Sequence, residues 1–501
     1  GARPTVDVAS LKLEATDHSA IHAIVIAAAI GVAVGGTTGV AISVGLSIAL
    51  NEVSNAVEAV ISKANVKTNS GGVTLKVDSA AQNLFQLTPV GDLTVAGLDD
   101  AGVVDSDDLT TSGIDEAADD AADDLLVRTA LEGMLAGTQY QLSTGWTLDV
   151  LRPGASWQVT DGQRVYVITL LGSGPDAGKL QFWAPTIQAV SVGASLAAGF
   201  AGTTGVALSG AGAVALNSVT STANAHLDDS VVEAAGPVTL TADGSRVITA
   251  TIMALSAALA GGGTTGVGVS IGVAVAKNLI GEQLDGTKAP VQTQAYLLRS
   301  SVSADGVLSL AATAAQTIGA LVVSASAAVA VGGTAGVGAS GAGVWVENVI
   351  RTATGAFVDG DSSVVAIKGN DKDADGVSLK LSALDTSTIS AIAGAVSLAF
   401  AFGGTAGVAV SVGVSLAKNL IDGKVTAAIN KATVTNKAGS GTPGGITLTA
   451  REDPGIRAVS AAASVAVGAG TFGAGVAGAG AWARNEITTA SSATITDATL
   501  T

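Results

Sequence analysis

Apolar residues in this chain recur at every second position, not every third or fourth. Val408, Val410, Val412, Val414 and Leu416 alternate with Ala409, Ser411, Gly413, Ser415 and Ala417. Just before them, Val396, Leu398, Phe400 and Phe402 alternate with Ala395, Ser397, Ala399 and Ala401. A period of two predicts strands with a branched face and a small face. Since large apolar groups ordinarily fill interiors, the branched face is expected to form the core. The small face is expected to let a second sheet or a neighbouring molecule come close. Between two such arms stands a Gly-Thr turn. It leaves apolar arms of about 12 residues, short of the ~20 that a spanning helix needs, so no membrane span is predicted. Shorter, more polar strands follow, such as residues 236–242 and 376–382, each entered through a glycine turn.

The pattern repeats. Gly-Thr-x-Gly occurs at Gly36-Thr37-x-Gly39, Gly202-Thr203-x-Gly205, Gly263-Thr264-x-Gly266, Gly333-Thr334-x-Gly336, Gly404-Thr405-x-Gly407 and Gly470-Thr471-x-Gly473. Fourteen residues after each threonine stands Asn51, Asn217, Asn278, Asn348, Asn419 or Asn485. An alanine follows eight residues later in five copies, and Ala295 takes that place in the third. The period is 61–71 residues, except for 166 between the first two copies. Six copies with fixed internal spacing predict stacked structural repeats. The turn suits residues with φ > 0, and the asparagines suit a turn cap or a side-chain-to-backbone ladder between coils. Copies also alternate. The first, third and fifth carry Ser-Val-Gly or Ser-Ile-Gly after the turn; the others carry Gly-Ala-Gly, and two of these place Trp345 and Trp482 before the Asn. This predicts odd and even copies facing opposite sides.

The long gap contains an insertion, residues 86–186. Ser112 caps a predicted helix over 113–136, with Asp115 three residues on and an acidic face at Asp119, Asp120, Asp123 and Asp124. Asp161-Gly162 predicts a two-residue hairpin turn that sets Trp157 opposite Tyr166. Trp146, Trp157 and Trp183 form either the module's core or a sugar-binding cluster. The chain therefore divides into 1–85 solenoid, 86–186 inserted α+β module and 187–501 solenoid.

Composition narrows the function. The net charge is −17 with no basic patch, which excludes nucleic acid as a partner. Sixty-five glycines, 3% aromatic residues and no cysteine exclude a disulfide scaffold and thiolate chemistry. His18, His22 and His226 lack ligand spacing, and no nucleophile elbow, P-loop or dinucleotide motif is present. No enzyme activity and no catalytic residue is expected. One metal candidate remains: Asp371, Asp373 and Asp375 alternate ahead of Gly376, a spacing that can wrap calcium. Calcium is the only cofactor expected.

These repeats (an Ala/Val/Gly run, Asn-x-Val/Ile, a later Ala, then Gly-x-Val-x-Leu-x-Ala) resemble those of large secreted bacterial β-solenoid proteins. Such proteins include filamentous-haemagglutinin-like and autotransporter-like adhesins and giant cell-surface repeat proteins. The resemblance covers about 400 residues and implies an all-β, right-handed β-solenoid at the bacterial cell surface or outside the cell. It implies a structural fibre, sheath or surface-layer component. An adhesin stalk with the insertion as binding module, meeting glycan or a cell surface, is the alternative, and a secreted repeat toxin is a third. Residues 6–15 read as the last strand of one repeat and 493–501 as the middle of another. Joined tail to head they complete a repeat, so the expected partner is a further copy or an adjacent repeat of the same giant chain.

Overall fold

The computed structural model describes residues 3–80, 186–368, 373, 376–437 and 444–501, and the backbones of six strands between Asn83 and Trp183. Among them there is no helix. Two large sheets are wholly parallel, and the third, of six strands, is antiparallel. The all-β fold expected from the period of two is what the chain adopts, and its parallel sheets are consistent with a β-solenoid.

Six inbound arms lie side by side in one sheet: Ile21–Gly35, Ile187–Ala201, the second half of Val238–Gly262, that of Leu308–Gly332, Thr388–Gly403 and Gly455–Ala469. Each turns at its Gly-Thr pair into a return arm in the other sheet: Thr38–Ser62, Thr204–Asp228, Thr265–Ile280, Ala335–Lys368, Ala406–Lys437 and Phe472–Thr496. We number these levels one to six. Register is strict, with Asn51, Asn217, Asn278, Asn348, Asn419 and Asn485 all aligned. Ala225, Ala295 and Ala356 also align, across the ten-residue excursion in level three. Fixed spacing in the sequence is thus fixed register in the sheet. Odd and even copies do not face opposite sides. All six return arms share one sheet, because each copy is one full turn of the chain.

Beyond the asparagine the return strand continues to a corner, then a short strand such as Val231–Ala234, then back through strands such as Val238–Gly262. These segments close a prism around a core of Leu75, Leu227, Leu240, Leu297, Leu308 and Ile429. On the other side of the asparagines the two arms pack face to face as a thin blade. Its interior is mostly small: Ala189, Ala213, Ala254, Ala274 and Ala395, with Ala197, Ala207 and Ala258 toward the tip.

Two expectations about the turns are corrected. No Gly-Thr-x-Gly residue has a positive φ. The glycine is needed because levels stack through backbone: a Cβ on Gly263 would lie 2.1 Å from the Gly202 carbonyl oxygen, and one on Gly333 2.1 Å from that of Gly263. Left-handed backbone occurs instead at the far corner, at Lys63, Asp229, Arg299, Lys431 and Asp497, with φ of 47–52°. In the inserted sheet, Trp157 pairs with Ile168 and Tyr166 with Val159. The connection there spans four residues, 161–164, so the two-residue turn and the Trp157–Tyr166 pairing are not formed. The expected helix, with Ser112 and Asp115, lies outside the described residues.

Candidate functional site: an outward apolar band

The side chains of the blade are inverted. Val410, Val412 and Val414 point outward and are exposed, whereas Ala409, Ser411, Gly413 and Ser415 are buried between the sheets. The inbound arm agrees: Val396 and Phe402 are exposed while Ala395, Ser397, Ala399 and Ala401 are buried. The expectation that the branched face fills the core is therefore wrong for the arms. The physical reason is thickness. On the interior face a Cβ at Gly193 would come 2.0 Å from the Gly212 carbonyl oxygen, and one at Gly45 2.2 Å from that of Ala194. At these positions the two backbones are already in contact and leave no room for a branched side chain; only nearer the asparagines does the interior take Ile252, Val322, Val344 and Val346.

The inversion ends at the asparagine, within single strands. In Thr38–Ser62 the outward residues run Val40, Ile42, Val44, Leu46, Ile48, Leu50 and then Glu52, Ser54 and Glu58. Inward residues run Ala41, Ser43, Ser47, Ala49 and Asn51, then Val53, Val57 and Ile61. Strand parity is unbroken while the chemistry of the two faces is exchanged. The prism is apolar inside and polar outside, like an ordinary soluble solenoid; the blade has large apolar groups outside and small or hydroxylated ones inside.

Two hydrogen-bonded ladders run along the stacking axis through this interior. Each asparagine donates its side-chain amide to the next: Asn51 to Asn217, Asn217 to Asn278, Asn278 to Asn348, Asn348 to Asn419 and Asn419 to Asn485, at 2.7–2.8 Å. The bonds run amide to amide, not amide to backbone, because aligned identical residues about 4.8 Å apart place donor against acceptor. In mid-blade, hydroxyls zigzag between the sheets from Ser43 through Ser195, Ser209, Ser256, Ser270, Ser326, Ser340 and Ser397 to Ser411, in steps of 2.8–3.1 Å. Buried polar groups need partners, and here each level supplies the partner of the next. The serines are legible in sequence only as members of the small face.

Outside, the band is free of charge on both faces. No Asp, Glu, Lys, Arg or His occurs in 23–51, 184–225, 247–276, 306–346, 386–417 or 458–483. On the prism side it ends at an aligned row, Lys277, Glu347, Lys418 and Arg484, in which Lys418 Nζ donates to Glu347 Oε1 at 2.8 Å. Trp345 and Trp482 stand just inside that row, 40% and 43% exposed. Opposite, at the same level of the blade, the inbound arms begin with His22, Gln188, Thr249, Ser390 and Arg457. At the tip the turns pair between levels: Thr264 N donates to Thr203 O at 2.9 Å, Thr334 N to Thr264 O at 2.8 Å and Thr405 N to Thr334 O at 2.9 Å. The odd–even alternation appears here as relief. Val44 and Leu46, Ile271 and Val273, and Val412 and Val414 form ridges; Gly341, Gly343, Gly478 and Gly480 leave open furrows.

Titratable groups with displaced pKa values lie in the prism. Asp243 is pushed up to about 6, by burial first and then by the Asp78 carboxylate. Glu452 rises to about 7, by burial and then by the Asp385 carboxylate, and burial also raises Asp385. Burial lowers His226, which stacks on Tyr296 with ring centroids 4.6 Å apart. A raised carboxyl contributes stability that is present below its ordinary pKa and lost as pH rises through its folded value; the lowered histidine contributes stability above about 6.5 that is lost as pH falls. Between about pH 8 and 6.5 the carboxyls therefore dominate. The melting temperature is expected to rise on acidification across that window, and Asp243→Asn with Glu452→Gln should flatten the rise. Melting curves with an unchanged slope in the double variant would refute this assignment.

The calcium candidate is only partly visible. Asp373 Oδ1 accepts from Val377 N at 2.8 Å, and Gly376 N donates to Asp373 O at 3.0 Å, closing a turn on Gly376 with φ +77°. Asp371 and Asp375 lie outside the described residues. Among those described, no group of three His, Cys, Asp or Glu comes together to hold a metal, and no helix is long and apolar enough to cross a membrane. With this geometry in hand, comparison with known proteins adds no identity. The chain matches no family model, no curated protein and no solved structure.

Proposed function

We propose that the chain is a structural module without catalytic activity. In this reading it is a right-handed β-solenoid of six 61–71-residue repeats that adds axially to equivalent levels, in an extracellular fibre, sheath or surface layer. The asparagine ladder carries the reading. Its donors and acceptors are used in series, and a ladder of this kind gains a bond with every level added. The sheets support the same view: the level-one strand Thr38–Ser62 and the level-six strand Phe472–Thr496 each pair along one edge only, and an open edge is a template for a further strand. Stability in such stacks is a sum of level and interface terms, so length is favoured.

Particle length tests it. Six levels at about 4.8 Å measure about 29 Å along the axis. Electron microscopy of the purified chain in mild detergent is expected to show particles several times longer, with a repeat near 4.8 Å along their length. Uniform particles of six-level height at every concentration would overturn the proposal.

A further inference from the structure

The blade is built inside-out relative to a water-soluble sandwich, and both of its faces are apolar. We propose that this band lies in a lipid bilayer, with the strands crossing the hydrocarbon core and the prism in water.

Four observations point to acyl chains as the occupant. The first is dimension. From Ile24 to Val34 on the inbound arm and from Val40 to Leu50 on the return arm the outward residues are apolar or alanine. Ten residue steps at ~3.3 Å make a band about 33 Å tall, against ~30 Å for a bilayer's hydrocarbon core. The second is extent. Away from the exposed end level, Ile271 remains 52%, Ile392 49%, Val412 46% and Leu255 44% exposed. Six levels at ~4.8 Å and a height of about 33 Å give each face a projected area on the order of 950 Å², beyond the ~300–600 Å² of the largest patch on a typical soluble monomer.

The third is polar satisfaction. Lipid tolerates only backbone that is bonded within the protein. Inner levels are paired on both edges, the tip turns are bonded between levels, and the serine hydroxyls of the ladder from Ser43 to Ser411 are bonded to one another inside, while Ser324 and Ser464 beside it have no partner among the described residues. The fourth is the boundary. Trp345 and Trp482 stand beside the charged row at the prism end of the band, where strands that cross membranes carry their aromatic girdle. The exchange of faces at the asparagines falls at the same height, which is where one strand would pass from lipid to water.

A second copy packed on the blade is the rival occupant. Open glycine furrows that could receive its ridges lie mostly on the return face, with Gly394 alone open on the inbound face, yet the inbound face is as apolar, so a single occupant for both faces favours lipid. The proposal rests on the axial addition proposed above in one respect: edges at the first and last levels must be covered by further levels, because open edges do not occur in hydrocarbon.

The test uses the full chain synthesised in the presence of phosphatidylcholine–phosphatidylglycerol vesicles. The native chain has no cysteine, so Val412→Cys and Lys424→Cys each carry one nitroxide. The chain is expected to float with vesicles after an alkaline wash. The label at 412 should be relaxed by oxygen and not by a nickel chelate, with the reverse at 424. Val412→Lys should lower the vesicle-bound fraction about thirtyfold or more, while Lys424→Glu leaves it unchanged. If Val412→Lys loses its strand signal in detergent, the label readout decides alone. Failure to float would overturn the proposal, as would a label at 412 reached by the nickel chelate in vesicles. Protection of 412 in water without lipid would assign the band to a second copy instead. Particle length in detergent reads axial addition independently of all three.

Discussion

Gly404→Val is expected to abolish stable folding, whereas Gly343→Val leaves the melting temperature within a few degrees of the parent. Both glycines sit in Gly-rich stretches with similar neighbours, and only their surroundings differ. A Cβ on Gly404 would lie 2.4 Å from the Gly333 carbonyl oxygen of the level below. The obstacle is backbone and is held in place, since Gly333 N itself donates to Gly262 O at 3.1 Å. Valine there must push two levels apart at the tip, which places it among the uncommon changes that cost more than ~4 kcal/mol. At Gly343 an added Cβ meets nothing within 4 Å. It points out into a furrow, and glycine in a strand interior is itself unfavourable. Calorimetry of the two variants in the same detergent checks this, and equal losses would contradict it.

Asn348→Leu is expected to destabilise the chain by roughly 2–6 kcal/mol. Asn348 is fully buried, accepts from Asn278 and donates to Asn419, each at 2.8 Å. Leucine nearly conserves volume but leaves the Asn278 amide without its acceptor and the Asn419 carbonyl without its donor. Each buried group so orphaned costs about 1–3 kcal/mol. Asn348→Gln would not repair the ladder, because its longer arm moves the amide out of register. Within one chain Asn485 bonds only to Asn419, so in unassembled chains its replacement interrupts one bond instead of two and should cost about half as much. Chemical denaturation of the three variants, kept dilute enough to be unassembled, measures the order, and equal costs for Asn348→Leu and Asn485→Leu under those conditions would show that the ladder does not act as a series.

Much of the stacking was legible in the sequence. The spacing of Gly-Thr-x-Gly and Asn is the register itself, and period-two alternation is sufficient to call strands. What failed was the choice of face. The rule that branched residues go inside holds for Val57, Ile61, Leu227 and Leu240 in the prism and is reversed for Val410–Val414 in the blade. The correcting signal was present. Glu52 and Glu58 share parity with Val40 through Leu50 in one unbroken strand, so charged and branched residues must lie on the same, outward, face. The turn glycines misled for a different reason. Close approach of stacked backbones selects glycine as firmly as a positive φ does, and sequence alone does not separate the two causes. The left-handed corners were missed because three of the five are Lys63, Arg299 and Lys431, and neither lysine nor arginine marks such a site as Asp229 and Asp497 do.

Thiol reactivity along one strand tests the inverted blade most directly. Single cysteines are placed at Val410, Ser411, Val412, Val414 and Ser415 in the blade and at Lys424, Val425, Thr426 and Ala427 in the prism. The folded chain is then treated in detergent with a small permeant thiol reagent. Outward and inward residues alternate without a break across Asn419. Cysteines at 410, 412, 414, 424 and 426 should react within the time of an unfolded control, and those at 411, 415, 425 and 427 should be protected. Reaction at 411 and 415 with protection at 410, 412 and 414 would mean that the branched face is the core, and would contradict the account.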